Sequence, residues 1–161
     1  MTEGLKYRPA TAEDIPAIVD LRMEAYRALH LDKYAGCDRD FVETVFGRLL
    51  AGGEFVGVVE SDGKIVGAMV GGMIPVWWEP KSRIFQQLML WVSPKFRRMG
   101  GSRLLLDAAE SWCAERGITA LLLATDGVHM SKISGAMFTR RGYTRANVYY
   151  GKVLPCQQAD S

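Results

Sequence analysis

Apolar positions along the chain fall into two rhythms, one of about 3.6 residues and one of two. In "TAEDIPAIVDLRMEAYRALHL", Ile15, Val19, Met23 and Tyr26 share a helical face, with Ile18 and Arg22 beside them. Thr11 can cap its start, Asp14 stands three residues on as in a capping box, and Pro16 lies in the first turn. "FVETVFGRLLA" is a second helical pattern, stopped by Gly52 and Gly53. A third runs from about Gly101 to Arg116. It sets Leu104, Leu105, Ala108 and Trp112 on one face and Asp107 and Glu110 toward solvent, and Gly117 closes it. "HMSKISGAMFTRR" is a fourth, short helix ending before Gly142.

Between the helices lie strand patterns. "LKYRPA" reads as a first strand. "EFVGVVES" and "KIVGAMVGGMIPVWW" are two strands joined by Asp62-Gly63, a strong hairpin signal. "WEPKSR" reads as a turn or short loop, and "DKYAGCDRD" as a polar loop. "IFQQLMLWVSP" is almost continuously apolar, which predicts a central strand ending at Pro94. "ITALLLATD" is another buried strand, "YTRANVYYGKVL" a final strand region and "PCQQADS" (155–161) a loose tail. The order is β-α-α-β-β-β-α-β-α-β, with hairpins early and a parallel crossover around the third helix. That is a mixed sheet carrying helices. With no repeat and no linker composition, residues 1–161 read as a single domain.

Composition narrows the function classes. The apolar fraction of 48% and charged fraction of 24% are those of a globular protein. A net charge of +2 without runs of one sign argues against nucleic acid as a partner. The N-terminus has no apolar leader, and no apolar run is long enough for a membrane span. Cys37, Cys113 and Cys156 show no metal-ligand spacing, which predicts a reducing, cytoplasmic setting and no metal.

The chemistry concentrates in "WVSPKFRRMGGSRLLLDAAESW", where a strand gives way to a helix at two arginines and two glycines. The first N–H groups of a helix lack partners and sit at the positive end of its dipole, which suits an anion. Glycines let a bulky phosphate approach the backbone, and Arg97 and Arg98 add charged donors. A pyrophosphate is the natural guest. The stretch is neither GxxxxGK[ST] nor GxGxxG. Its plain alternative is a tight strand–helix turn with two solvated arginines.

Val92-Ser93-Pro94, then Arg97-Arg98-Met99-Gly100-Gly101-Ser102 and a leucine-rich helix, resembles the acyl-CoA motif of the GNAT superfamily of N-acyltransferases. "AMFTRRGY" (Ala136 to Tyr143) resembles the helix and Gly-Phe-like pair that follow in that family, and the order of elements agrees from Tyr7 to Leu154. The resemblance implies an α/β fold, α+β by some schemes. Its mixed central sheet has splayed parallel strands four and five, flanked by about four helices.

It also implies an acetyl-CoA-dependent N-acetyltransferase, with acetyl-CoA or another short acyl-CoA as cofactor. Backbone N–H groups of Arg98 through Ser102 would hold the pyrophosphate, with Arg97 and Arg103 beside them. Leu90, Trp91 and Val92 would line the pantetheine arm. The Val92 N–H would donate to the thioester carbonyl, an oxyanion-type role.

The chain departs from the family pattern at two notable positions. Ser102 replaces a usual Gly or Ala, and Phe138 stands where many relatives place the tyrosine that protonates the leaving thiolate. Ser131 stands at a helix-start position where relatives often carry Asn. Phe138 and Ser131 remain cofactor-contact candidates. Substitute acids are Ser134, one turn before Phe138, and Tyr143, Tyr149 or Tyr150. Candidates for the base are Asp126, His129, Glu79 and Gln87, although a glutamine can only orient a water.

The acceptor, a small-molecule or peptide amine, would meet Asp32, Asp38, Trp77, Trp78, Gln87 and Asp126. A solvated loop and a tryptophan pair covering a sheet edge or dimer face explain several of these equally well. The apolar final strand suits a homodimer contact. A second reading, favoured by Phe138, is a catalytically weak acyl-CoA-binding or sensing module. A third is a phosphate-binding fold without acyl chemistry.

Overall fold

The computed structural model describes residues 4–76, 78–124 and 128–146, with side chains in the last stretch from Ser134 onward. Its strands are β1 (Lys6–Pro9), β2 (Phe55–Ser61), β3 (Lys64–Val76), β4 (Glu79–Val92) and β5 (Ala120–Leu122). Its α-helices are α1 (Ile15–Ala28), α2 (Arg39–Ala51), α3 (Gly101–Glu115) and α4 (Val128–Arg140). The strands form one sheet in the order β1-β2-β3-β4-β5, antiparallel except for the parallel pair β4–β5. The mixed sheet with helices on it is as expected. Among the described residues no helix is long and apolar enough to cross a membrane.

Local chemistry explains most boundaries. Asp62 (φ 50°) and Gly63 (φ 72°) both take left-handed backbone, which closes the two-residue β2–β3 turn between Ser61 and Lys64. Before α1, residues Ala12–Asp14 form a 3-10 turn, and the Asp14 carboxylate accepts from the Thr11 N–H at 2.7 Å. Asp38 caps α2 by accepting from the Phe41 N–H at 3.0 Å. Helix α1 ends at Ala28, and the expected acceptor loop contains a short 3-10 helix over Leu31–Lys33.

Two cores sandwich the sheet. One, under α1 and α2, joins Ile18, Val19, Val58, Val70 and Trp91; the other, under α3 and α4, joins Phe85, Val92, Leu105, Leu106 and Phe138. Each fully buried aliphatic side chain of these clusters stabilises the fold by about 1.5–3 kcal/mol at most. Phe55, Phe85 and Trp112 meet edge to face at 5.9–6.1 Å between centroids.

Several expectations need correction. "WEPKSR" is not a loop: Glu79–Arg83 is the first part of β4, paired with β3 through Pro75↔Arg83 and Val76↔Glu79. Its polar residues are those of a strand exposed at the sheet's end. The stripe of α3 is rotated from the predicted one, centred on Leu105, Leu106, Ala109 and Cys113, while Leu104, Ala108 and Trp112 flank it. Glu110 is only partly open to solvent, because Arg141 and Tyr143 both bond its carboxylate. Strand β5 spans only Ala120–Leu122, and Leu122 is exposed. Of "YTRANVYYGKVL", residues 147–154 lie outside the described residues, as does the 155–161 tail, and 143–146 are not a strand.

Candidate active site

Strand β4 stops where Pro94 removes a ladder donor, and residues Pro94–Met99 coil into a 3-10 helix. Gly100 then takes φ +87°, a left-handed conformation that lets the chain turn into α3. The Leu104 N–H donates to Gly100 O at 3.1 Å, the first bond of α3. The N–H groups of Gly101, Ser102 and Arg103 therefore lack intrahelical acceptors and point out of the helix start. A Cβ on Gly101 would stand 3.2 Å from Leu5 and 3.3 Å from Val92, so the helix start sits directly against the strand end.

The strand end has a matching polarity. The Ser93 N–H donates to Val66 O at 2.9 Å, and Val92 pairs opposite Gly67. By antiparallel alternation, Leu90 and Val92 then turn their N–H and C=O groups away from β3, toward the β5 side. Among the described residues no β5 pairing meets them, because the β4–β5 ladder runs only from Ile84↔Ala120 to Gln86↔Leu122. The divergence coincides with a bulge in β4, where Val70 pairs with Met89 and Gly71 with Gln87.

The Arg97 Nε donates to Val92 O at 2.9 Å, and its guanidinium lies 4.4 Å from the Trp91 ring centroid. Arg97 thus folds back over the strand end, while Arg98 is exposed. Trp91 is only 5% exposed, and its buried indole N–H has no hydrogen-bond partner among the described residues. Glu24, which the sequence reading missed, accepts from the Ser93 hydroxyl at 2.8 Å and ties α1 to the end of β4.

These groups enclose a cavity of about 230 Å³. Strand β4 contributes Gln87, Leu90, Trp91 and Val92; the turn, Arg97 and Gly100; α3, Ser102 and Arg103; α4, Ser134, Met137 and Phe138. Leu29 and Ala124 complete it. A second, shallower groove of about 520 Å³ continues from Arg103 and Met137 along Asp107, Arg140 and Arg141. Leu29, Ala124 and Met137 were not legible as site residues. Each is an ordinary apolar residue whose position depends on where the strands part.

The structure brings together many of the expected residues, but not all. Phe138, 8% exposed, faces the cavity one turn from Ser134 and carries no hydroxyl. Tyr143 does not line the cavity. Its ring packs against Phe138 at 5.7 Å and its hydroxyl donates to Glu110 Oε1 at 2.8 Å. Burial, then Glu110, holds its phenol well above the ordinary range, so the expectation of an acid–base role has no geometric support.

Trp78 is 68% exposed in the β3–β4 turn, at the opposite end of β4 from Val92 and about 45 Å away along an extended strand. Glu79 lies beside it, its carboxylate accepting from the Lys81 N–H. Asp32 is exposed, Asp38 is occupied as a helix cap, and Met99 is exposed. His129 and Ser131 fall in the first turn of α4. Trp77, Asp126, Tyr149 and Tyr150 lie outside the described residues.

Residues 15–143 match the family model described as "Acetyltransferase (GNAT) family". No curated protein matches the chain. Among solved structures, a predicted acetyltransferase with acetyl-CoA from Clostridium acetobutylicum is similar with a TM-score of 0.72 and 18% identity, over 92% of this chain and 95% of that one. A GCN5-related N-acetyltransferase from Ralstonia eutropha JMP134 gives 0.71 and 22%, over 93% and 99%. An aminoglycoside acetyltransferase from an uncultured soil metagenomic sample, in complex with sisomicin, gives 0.69 and 18%, over 94% and 97%. At these identities the likeness speaks for the fold.

Proposed function

The chain belongs to the acetyltransferase (GNAT) family, and on that premise we propose that it transfers an acetyl group from acetyl-CoA to an amine by direct attack on the thioester. The observation that carries this reading is the pair of N–H groups at Leu90 and Val92, turned away from β3 into a gap that β5 leaves open. The residues present fit the cofactor. The gap offers the pantetheine arm a strand-like edge. The N–H groups of Gly101, Ser102 and Arg103, with Arg98 nearby, offer donors for a diphosphate.

When bound, acetyl-CoA supplies an activated carbonyl carbon, at which an N–C bond forms while the C–S bond breaks and a thiol leaves. The Val92 N–H donates to the carbonyl oxygen as negative charge develops there; loss of one such donor costs on the order of 100-fold. Arg97 holds the Val92 carbonyl and so fixes the peptide plane on the far side of that residue. The Ser134 hydroxyl, in the cavity wall, would donate a hydrogen bond to the departing sulfur, which leaves as a thiolate and takes its proton from solvent; Phe138 cannot make that bond. His129 and Asp126 are the proposed groups for the proton that the amine gives up. Gln87 has no proton to exchange at neutral pH, and Tyr143 is held by Glu110. The aminoglycoside acetyltransferase among the structural neighbours favours a small-molecule amine as acceptor.

Calorimetry with acetyl-CoA, followed by a thiol-release assay across a panel of amines, tests the reading. Binding in the micromolar range and amine-dependent thiol release are expected, and protein that ignores acetyl-CoA at millimolar concentration would overturn it. The Ser134→Ala variant is expected to lose roughly 100-fold in kcat with acetyl-CoA KM unchanged. A second reading, a weak catalyst that chiefly binds acyl-CoA, has Phe138 in its favour. Tight acetyl-CoA binding without thiol release over the panel would select it.

A further inference from the structure

We infer that Gln87 is a positioning residue: its side-chain amide forms a rung that holds β5 off β4 and keeps the Leu90 and Val92 N–H groups free of strand pairing. The backbone ladder between the parallel strands ends at Gln86↔Leu122. At the next residue the side chain takes over. Gln87 Nε2 donates to Ala124 O at 3.5 Å, and the Ala124 N–H donates to Gln87 Oε1 at 3.3 Å. One amide thus reproduces the donor–acceptor pattern of a peptide unit, facing a backbone that a peptide of β4 no longer reaches.

The geometry of a side-chain rung differs from that of a backbone rung. Hydrogen-bonded strands lie about 4.8 Å apart. A glutamine reaching out by its own length to meet a partner strand enforces a wider spacing. Two parallel strands left to themselves would gain hydrogen bonds by closing, which would occupy the donors at Leu90 and Val92. Gln87 is 8% exposed, so its amide has few alternatives to Ala124, and an unpaired amide there is costly. The bulge on the β3 side begins at the same residue, with Leu88 left over between the Gly71↔Gln87 and Val70↔Met89 pairs. Both Gln87 and Ala124 line the cavity.

The role demands an amide specifically. A carboxylate at position 87 keeps the acceptor for the Ala124 N–H but sets negative charge against Ala124 O. Protonated, it donates and accepts as the amide does. Burial and that carbonyl both raise the pKa of such a carboxyl above the usual value of about 4.3. A leucine fills similar space and does neither.

The inference rests on the proposed binding of acetyl-CoA in the gap, and its test separates the two. Acetyl-CoA affinity is measured by calorimetry for the full chain as wild type, Gln87→Glu and Gln87→Leu, at about pH 5.5 and about pH 8. Amide hydrogen exchange at Ala124 is measured without ligand. Each variant is read against wild type at the same pH, because the cofactor's phosphate monoester titrates at about pH 6. Gln87→Glu should bind on the order of 10-fold more weakly at the higher pH and recover most of that at the lower. Gln87→Leu should stay weak at both, with faster exchange at Ala124. Variants that match wild type at both pH values, or a Gln87→Glu defect that ignores pH, would overturn the inference. If wild type itself does not bind acetyl-CoA, the ligand reading falls while the rung is still decided by the exchange rate of Ala124 in Gln87→Leu, an unchanged rate overturning it.

Discussion

At the scale of single residues, Arg8 and Asp14 illustrate how a cap becomes a tertiary tie. The Arg8 guanidinium grips Asp14 with two bonds, of 2.6 and 2.9 Å, and reaches Glu60 at 2.7 Å. It thereby joins β1, the start of α1 and β2. The bond from Arg8, helped by the Thr11 N–H, holds the Asp14 carboxyl down at about 2, from an ordinary 3.8. A folded-state pKa below the unfolded value means stability that is present above about pH 4 and lost as pH falls toward 2. Asp14→Asn is therefore expected to lower the melting temperature near neutral pH and to flatten its fall between about pH 5 and pH 2, read by thermal melts across that range. The capping-box spacing of Thr11 and Asp14 is legible in the sequence, because it is local. The partnership with Glu60 is not, because only the β1–β2 register, Lys6↔Glu60, brings it close. Phe138 was legible by position, but the use of Tyr143 was not: whether a hydroxyl faces a cavity or a glutamate depends on how α4 lies against α3.

At the scale of elements, the β3–β4 hairpin carries the site, and glycine decides where it can bend. A Cβ added to Gly71 would fall 2.2 Å from the Phe85 ring and 2.7 Å from Gln86 O. Neither can give way easily, since Phe85 is fully buried between Phe55 and Trp112 and the carbonyl belongs to the central strand. Gly71→Ala is expected to destabilise by about 2 kcal/mol, seen as a fall in melting temperature of roughly 4–8 °C. Because Gly71 pairs with Gln87 at the bulge, the same variant should also weaken acetyl-CoA binding. The hairpin turn at Asp62-Gly63 and the centrality of β4 could be read directly, from turn chemistry and from a long apolar run. The outer part of β4 could not. Glu79 to Arg83 are polar because that end of the strand is exposed, and their strand conformation comes from pairing with β3. The α3 stripe was displaced for a related reason: Leu104, Leu105 and Leu106 are all apolar, and the sheet selects which of them point inward.

At the scale of the whole molecule, the cavity is held by the docking of α3 against α4. Arg141 bridges Asp107 at 2.6 Å and Glu110 at 2.9 Å, and Tyr143 adds its bond to Glu110. Arg141→Ala removes the cation between two carboxylates and is expected to cost about 1–2 kcal/mol, or roughly 2–8 °C in melting temperature. The loss should shrink in high salt, which screens the remaining Asp107–Glu110 repulsion. Since α4 supplies Ser134 and Phe138 to the cavity, acetyl-CoA KM should rise with it; an unchanged KM would show that α4 is held by its apolar face alone.

By itself the sequence determined the four helices, the early hairpin, the mixed sheet, the glycine-loosened helix start and the family, because each rests on local propensity, on periodicity or on a contiguous motif. Only the tertiary structure decided where β5 leaves β4, which N–H groups face the gap, that Gln87 spans it and that Tyr143 is turned away. Those outcomes depend on register, on a one-residue bulge and on how two helices lie on a sheet. Such relations join residues far apart in the chain, and a linear pattern of apolar and polar positions does not encode them.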